Sequence, residues 1–142
     1  ELLKFRLLSK KEELKYSDTL KPLSESKKYF KEYLELDLTK PDRVIFIAIE
    51  DKKIVGAALA KFFKPLRISK YEKKGHLSNL YVDKKYRKKG IGKKLTLRRL
   101  KWLKQNNVHY ASGEIHKDNI ASQNLLKKLG FESYTIKMIK KI

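Results

Sequence analysis

Apolar positions along the chain fall in short groups whose spacing changes from one group to the next, which predicts a series of alternating elements. Lys4 to Leu8 reads as a short first strand. Ser9-Lys10-Lys11-Glu12 matches a capping box, in which the hydroxyl serves a free backbone N–H and the carboxylate reaches back to the cap, so a helix is predicted from there to Pro22. Tyr29, Phe30, Tyr33, Leu34 and Leu36 recur at helical spacing and are predicted to bury one face of a second helix, closed by Asp37 to Pro41. Val44 to Ile49 is a continuous apolar, β-branched run. After a charged turn at Glu50 to Lys53 comes Ile54 to Ala60, and together these predict an antiparallel hairpin that Lys64-Pro65 ends.

A basic loop then leads to a further strand, His76 to Val82. From Ile91 to Gln105 the apolar positions Ile91, Leu95, Leu100, Trp102 and Leu103 share about half of a helical wheel, with Leu97 and Arg99 as the exceptions. Val108 to Ile115 reads as a strand and Ile120 to Leu129 as a helix stopped by Gly130, which suits the left-handed position after a helix. Phe131 to Ile139 reads as extended chain. The order is mixed α/β, with a hairpin early and β-α-β-α-β late.

The 142 residues leave room for one compact domain, and the absence of a repeat, a linker or a break in composition makes residues 1–142 a single domain. With 41% hydrophobic and 11% aromatic residues the chain has the makings of a core. No apolar run approaches the roughly 18 residues that span a bilayer, and the opening Glu1 to Arg6 lacks the layout of a signal peptide, so a soluble cytoplasmic protein without a membrane partner is expected. Zero cysteines exclude disulfides, thiolate catalysis and cysteine-ligated zinc, and the three histidines lack ligand spacing. Thirty-six Lys and Arg against 16 Asp and Glu give a formal charge of +20. Such a field attracts polyanions and repels polycations; because 30 of the 36 are scattered lysines, a general lysine bias explains it as readily as a functional surface does.

The stretch Val82 to Leu95 carries the chemistry. A strand leads into a basic loop with two glycines and a helix follows at once, so backbone N–H groups and the positive end of the helix converge where a diphosphate could sit. Gly90 and Gly92 permit close approach, and Arg87, Lys88 and Lys89 add charge. Taken alone, the loop is also compatible with an ordinary strand-to-helix connection. It lacks both the Gly-Lys-Ser/Thr of a nucleotide-hydrolysing loop and the third glycine of a dinucleotide fingerprint.

This segment resembles the Arg/Gln-x-x-Gly-x-Gly/Ala loop of the GCN5-related N-acetyltransferases (GNAT superfamily), which holds the pyrophosphate of acetyl-coenzyme A. Asn119-Ile120-Ala121 followed by Leu129-Gly130-Phe131 looks like that family's second cofactor motif, and the match is firm from His76 to Tyr134. The resemblance implies a mixed, mostly antiparallel sheet flanked by helices, with acetyl-coenzyme A bound along Leu80, Tyr81 and Val82, along the loop Arg87, Lys88, Lys89, Gly90, Ile91 and Gly92, and near Asn119. It also implies a bulged strand before the loop, splayed from its neighbour so that pantetheine pairs with its backbone and one of its N–H groups holds the thioester oxygen.

Acetyl transfer to a primary amine needs a base to remove the ammonium proton. Glu114, five residues before Asn119, matches a catalytic Glu of relatives that acetylate protein N-termini; by strand alternation it shares a face with Tyr110 and Ser112. His76 matches the position from which histone-type relatives present their base. The family's usual thiolate acid, a Tyr, falls at Leu126, a departure that leaves Tyr134 as a substitute or no dedicated acid at all. The implied reaction is direct attack in a ternary complex. The acceptor stays open between a protein N-terminus, a lysine and a small amine, as does the choice of monomer or homodimer. Two other readings stand beside it: a basic nucleic-acid or ribosome-associated binder, whose binding would be weak and unspecific, and a catalytically silent acyl-coenzyme A sensor.

Overall fold

The computed structural model describes residues 1–17 and 19–142. The chain opens in a helix, α1 (Leu2–Glu13), so the strand expected at Lys4 to Leu8 is absent. Leu2, Phe5 and Leu8 all pack around Ala57 and Tyr81; a repeat of three puts them on one side of a helix, where a strand would have sent Leu2 and Phe5 to opposite faces. Ser9 therefore lies buried inside α1, and its capping-box pattern caps nothing. The helix ends at Leu14, well before Pro22, which instead stands at the N-cap of α2 (Leu23–Thr39), where its missing N–H costs no hydrogen bond.

The buried face of α2 is also rotated from the expected one. Ser26 and Asp37 are buried and Phe30 and Leu34 half-buried, while Tyr29, Tyr33 and Leu36 are 46%, 54% and 43% exposed. An ion pair sets this rotation: the Arg6 guanidinium of α1 donates to Asp37, and both side chains are sealed from solvent. Arg43 donates to the other Asp37 oxygen at 3.2 Å, so one carboxylate joins α1, α2 and the start of the sheet. Aromatic rings can stay partly in water at modest cost, whereas a buried carboxylate without its cations cannot.

The sheet has the order β1 (Arg43–Glu50), β2 (Lys53–Phe63), β3 (Lys74–Val82), β4 (Ala111–Ser112); the first three are antiparallel and β4 runs parallel to β3. The predicted hairpin is present, and Asp51 and Lys52 at its tip both take positive φ, as a two-residue turn that follows the strand twist requires. Between β2 and β3 the register slips: Ala57 faces Tyr81 but Leu59 faces Ser78. Asn79 and Leu80 thus stand opposite Ala58 alone, a β-bulge, with Asn79 at φ 51°. One extra residue reverses the facing of the strand. Leu77 packs with Ala60, Leu103 and Val108 on one side of the sheet, whereas Tyr81 packs with Ala57 and Phe5 on the other.

Helix α3 (Ile91–Gln105) covers the first of these faces, with the bounds the sequence predicts. Leu95 and Leu103 are buried, and the two exceptions to its apolar face are resolved in one direction: Leu97 is exposed and Arg99 is 2% exposed. β4 is far shorter than the strand expected from Val108 to Ile115, because its parallel ladder is confined to Gly75↔Ala111 and His76↔Ser112. α4 (Ile120–Lys128) follows, and Gly130 has the left-handed φ of 84° expected after it. The extended closing segment forms no strand: Glu132 to Ile142 are exposed, since a two-residue β4 offers no length of edge for another strand to pair with. Among the described residues no helix is long and apolar enough to cross a membrane.

Removing one partner of a buried ion pair strands the other charge. Asp37→Ala is expected to cost about 3 kcal/mol or more of folding stability, measured by urea denaturation. A loss below about 1 kcal/mol, the range of exposed pairs, would show that the Arg6 and Arg43 contacts do not organise the helices.

Candidate functional site

The segment after β3 is shaped by short-range bonds. Asp83 accepts a hydrogen bond from the Lys85 N–H at 3.1 Å and so opens one 3-10 turn, Lys84–Tyr86. Lys88 and Gly90 then take positive φ, 63° and 78°, which reverses the chain into α3. A side chain at Gly90 would meet nothing within 4 Å, so that side of the turn is open. No side chain caps α3, and its first backbone bond runs from the Lys94 N–H to the Gly90 carbonyl at 3.0 Å. The N–H groups of Ile91, Gly92 and Lys93 are left without intrahelical partners at the positive end of the helix dipole. Such an end favours an anion.

The basic residues of this loop divide into two kinds. The Arg87 guanidinium folds back: its Nε donates to the Val82 carbonyl at 2.9 Å, its centre lies 5.3 Å over the Tyr81 ring, and Nη2 is 3.9 Å from Glu12 of α1. It fastens the loop to β3 and α1. Lys88 and Lys89 are exposed, with the Lys89 ammonium 5.2 Å over the Tyr86 ring. Asn119 caps α4 by accepting from the Ser122 N–H at 3.2 Å. A Cβ on Gly92 would lie 3.5 Å from Leu125 of α4 and 3.8 Å from Leu80 of β3, so bulged strand, loop and second helix meet at that glycine.

Beyond His76↔Ser112 the parallel pair β3 and β4 parts, and among the described residues Leu80, Tyr81 and Val82 have no pairing partner on the β4 side. His76 and Glu114 flank this divergence. His76 is half-buried, and burial first, then the charges of Lys61 and Arg99, hold its pKa below the usual 6.5, with Glu114 pulling the other way. These influences favour the neutral imidazole. Glu114 is exposed and lies outside the shortened β4, so strand alternation no longer sets its facing; its electrostatic reach to His76 places the two candidate bases at one locality. Leu126 approaches within 3.5 Å of where a Cβ on Gly113 would stand, which puts an aliphatic group beside the point of parting. Tyr134 is 82% exposed, its ring edge-on to Tyr110.

Two features had no signal in the sequence. Tyr16, just after α1, stacks on His116 with ring centroids 5.6 Å apart, joining α1 to the connection before α4. Glu12 lies 3.9 Å from both Lys84 and Arg87, a carboxylate at the edge of the basic loop.

Comparison with known proteins follows this geometry. The chain matches the acetyltransferase (GNAT) family over residues 10–131 and belongs to it. It is a GNAT-type N-acetyltransferase with acetyl-coenzyme A as its co-substrate. A search of curated protein sequences found no significant match. Among solved structures, a "predicted acetyltransferase" of Clostridium acetobutylicum determined with acetyl-coenzyme A is 23% identical, with a TM-score of 0.78 over 99% of this chain and 87% of that one. A GCN5-related N-acetyltransferase of Ralstonia eutropha is 20% identical, with a TM-score of 0.78 over 99% and 92%. The glucosamine-6-phosphate N-acetyltransferase of Arabidopsis thaliana is 21% identical, with a TM-score of 0.66 over 81% and 78%. At these identities the likeness is one of fold.

A histidine whose folded pKa is depressed withdraws stability as acid is added: the unfolded chain takes up the proton near pH 6.5, the folded chain only at lower pH. Urea midpoints are expected to fall as pH drops through that window and to fall less in His76→Gln. An identical pH dependence in the variant would remove His76 from the half-buried, neutral state assigned to it.

Proposed function

We propose that the chain moves the acetyl group from acetyl-coenzyme A to a primary amine by direct attack in a ternary complex. The observation that carries this reading is the parting of β3 from β4 immediately beside the uncapped start of α3. In this reading the N–H groups of Ile91, Gly92 and Lys93 receive the diphosphate, with Lys88 and Lys89 adding charge and Arg87 holding the loop in shape. The free backbone edge of Leu80, Tyr81 and Val82 pairs with the pantetheine arm as a further strand would, and one N–H of that edge donates to the thioester oxygen as negative charge develops there. Asn119 serves by starting α4 where it backs the loop.

Glu114 takes the proton from the acceptor ammonium, directly or through water. The amine lone pair then forms the new C–N bond as the C–S bond breaks, and the second proton on nitrogen passes to the departing thiolate, directly or through water, to give the amide and the free thiol. His76, neutral beside it, is the alternative base. The acceptors in the names of related folds include a sugar phosphate, so fold does not choose among a protein N-terminus, a lysine and a small amine; the +20 charge disfavours polycations. Leu126 favours a second reading, in which the chain binds acyl-coenzyme A without turning it over, because an aliphatic side chain stands at the sequence position of the family's usual thiolate acid.

Two measurements test the proposal. Gly90→Asp and Gly92→Asp place a carboxylate at the open turn and are expected to weaken coenzyme A binding in calorimetry; affinity equal to wild type in both would remove the diphosphate from this loop. Glu114→Gln is expected to lower turnover by about 10²-fold with cofactor affinity unchanged, and His76→Gln by less. Full turnover in the Glu114 variant with a large loss in the His76 variant would move the base to β3, while tight binding with no turnover of any amine by the wild type would establish the silent reading.

A further inference from the structure

Arg99 is a buried cation, 2% exposed, and burial pushes its pKa down to about 10. Among the described residues no carboxylate pairs with it. A lone charge in that position is costly and is retained only where its hydrogen bonds hold something together. Two of those bonds go to backbone and one to a hydroxyl. Nη1 donates to the carbonyls of Leu59 at 3.2 Å and Ser78 at 3.3 Å, the two residues that face each other where the register slips, one step before the bulge at Asn79 and Leu80. Nη2 donates to the Thr96 hydroxyl at 2.8 Å, and Thr96, fully buried, donates in turn to the Gly92 carbonyl at 2.9 Å. Nε has no partner, so the guanidinium is placed by these strand and helix contacts and by no counter-ion.

A continuous interior path therefore runs from Gly92, where the basic loop becomes helix, through Thr96 and Arg99 to the bulge. We infer that Thr96 and Arg99 are positioning residues for acetyl transfer, a relay that locks the bulged edge of β3 in fixed relation to the anion-binding start of α3. The inference rests on the reading of these two places given under Proposed function. The diphosphate and the reacting thioester are opposite ends of one ligand, so the distance between the loop and the edge determines whether the carbonyl meets its N–H donor. Arg87 ties the loop to Val82 and Leu80 approaches Gly92, and the ladder to β2 fixes β3 along its length; the Arg99 fork alone among these grips β3 at the irregular point, where the regular pairing is broken. The relay touches no reacting atom and acts through backbone position alone.

The test separates position from binding. Arg99→Met removes the fork and the charge, Arg99→Lys keeps the charge without the fork, and Thr96→Val, of nearly equal shape, removes the link to Gly92 and the acceptor of Nη2 while leaving the Arg99 bonds to the Leu59 and Ser78 carbonyls. In Arg99→Met we expect turnover to fall by about 10²-fold, the scale of a misplacement near 1 Å, with coenzyme A affinity within about threefold of wild type, a change of well under one decade. Thr96→Val and Arg99→Lys should lie between. Amide hydrogen exchange at Ser78 to Tyr81 should accelerate in the same order, and this readout needs no acetyl transfer. Turnover and exchange both within twofold of wild type in Arg99→Met would overturn the inference. Should that variant not fold, the same criterion applied to Arg99→Lys and Thr96→Val decides. Should the wild type turn over no amine, the catalytic reading fails separately, and exchange alone judges the relay: unchanged protection at Ser78 to Tyr81 refutes it, and lost protection upholds it.

Discussion

One surplus residue in β3 governs the architecture. Because side chains alternate along a strand, inserting Asn79 and Leu80 opposite the single Ala58 exchanges the two faces of everything that follows. Before the bulge Leu77 belongs to the core under α3; after it Tyr81 belongs to the core under α1. A strand in perfect register would serve only one of these cores with both side chains. The bulge falls on the stretch of β3 that lies beyond its short ladder with β4, so the change of face and the gap in the sheet occur on the same few residues.

The gap matters because an unpaired strand edge is ordinarily a hazard, open to pairing with other chains. Here the exposed stretch is short, faces a strand of only two ladder residues, and is closed at its end by Arg87, which spends its guanidinium on the Val82 carbonyl and the Tyr81 ring. Arg87 is thus better placed to shape the edge than to reach for a ligand, although the motif it belongs to is read as basic. The work of attracting an anion falls to backbone groups and to Lys88 and Lys89.

What was legible in the sequence follows from how local the determinants were. The β1–β2 hairpin, α3 and α4 carry their own signals: a β-branched run, a glycine turn before a periodic stretch, and a closing glycine. The glycine turn of the loop was legible for the same reason, whereas Asn119 entered through the family resemblance and stands in the structure as the cap of α4. The N-terminal region was misread because Lys4 to Leu8 is short enough to suit either period, and because Ser9 to Glu12 imitates a cap that the preceding Leu2 and Phe5 override by docking on the sheet. On α2 the aromatic residues suggested the buried face, but Asp37 and its two arginines, distant in sequence, determined it. Val108 to Ile115 had strand composition but too little neighbour to pair with. Arg99 stood out as a breach of the apolar face; its reason lay in carbonyls of other strands, which no single-chain pattern records.

Glu12 gives the basic loop an internal occupant. The hydrogen bond from Lys15, and then the charges of Lys15, Arg87 and Lys84, lower the pKa of its carboxylate, which is ionised at neutral pH. The mouth of the loop therefore holds one permanent anion among its cations, tethered to the chain where a small ion would be free to diffuse away. An incoming anion meets a local charge lower than the +20 of the whole chain would suggest.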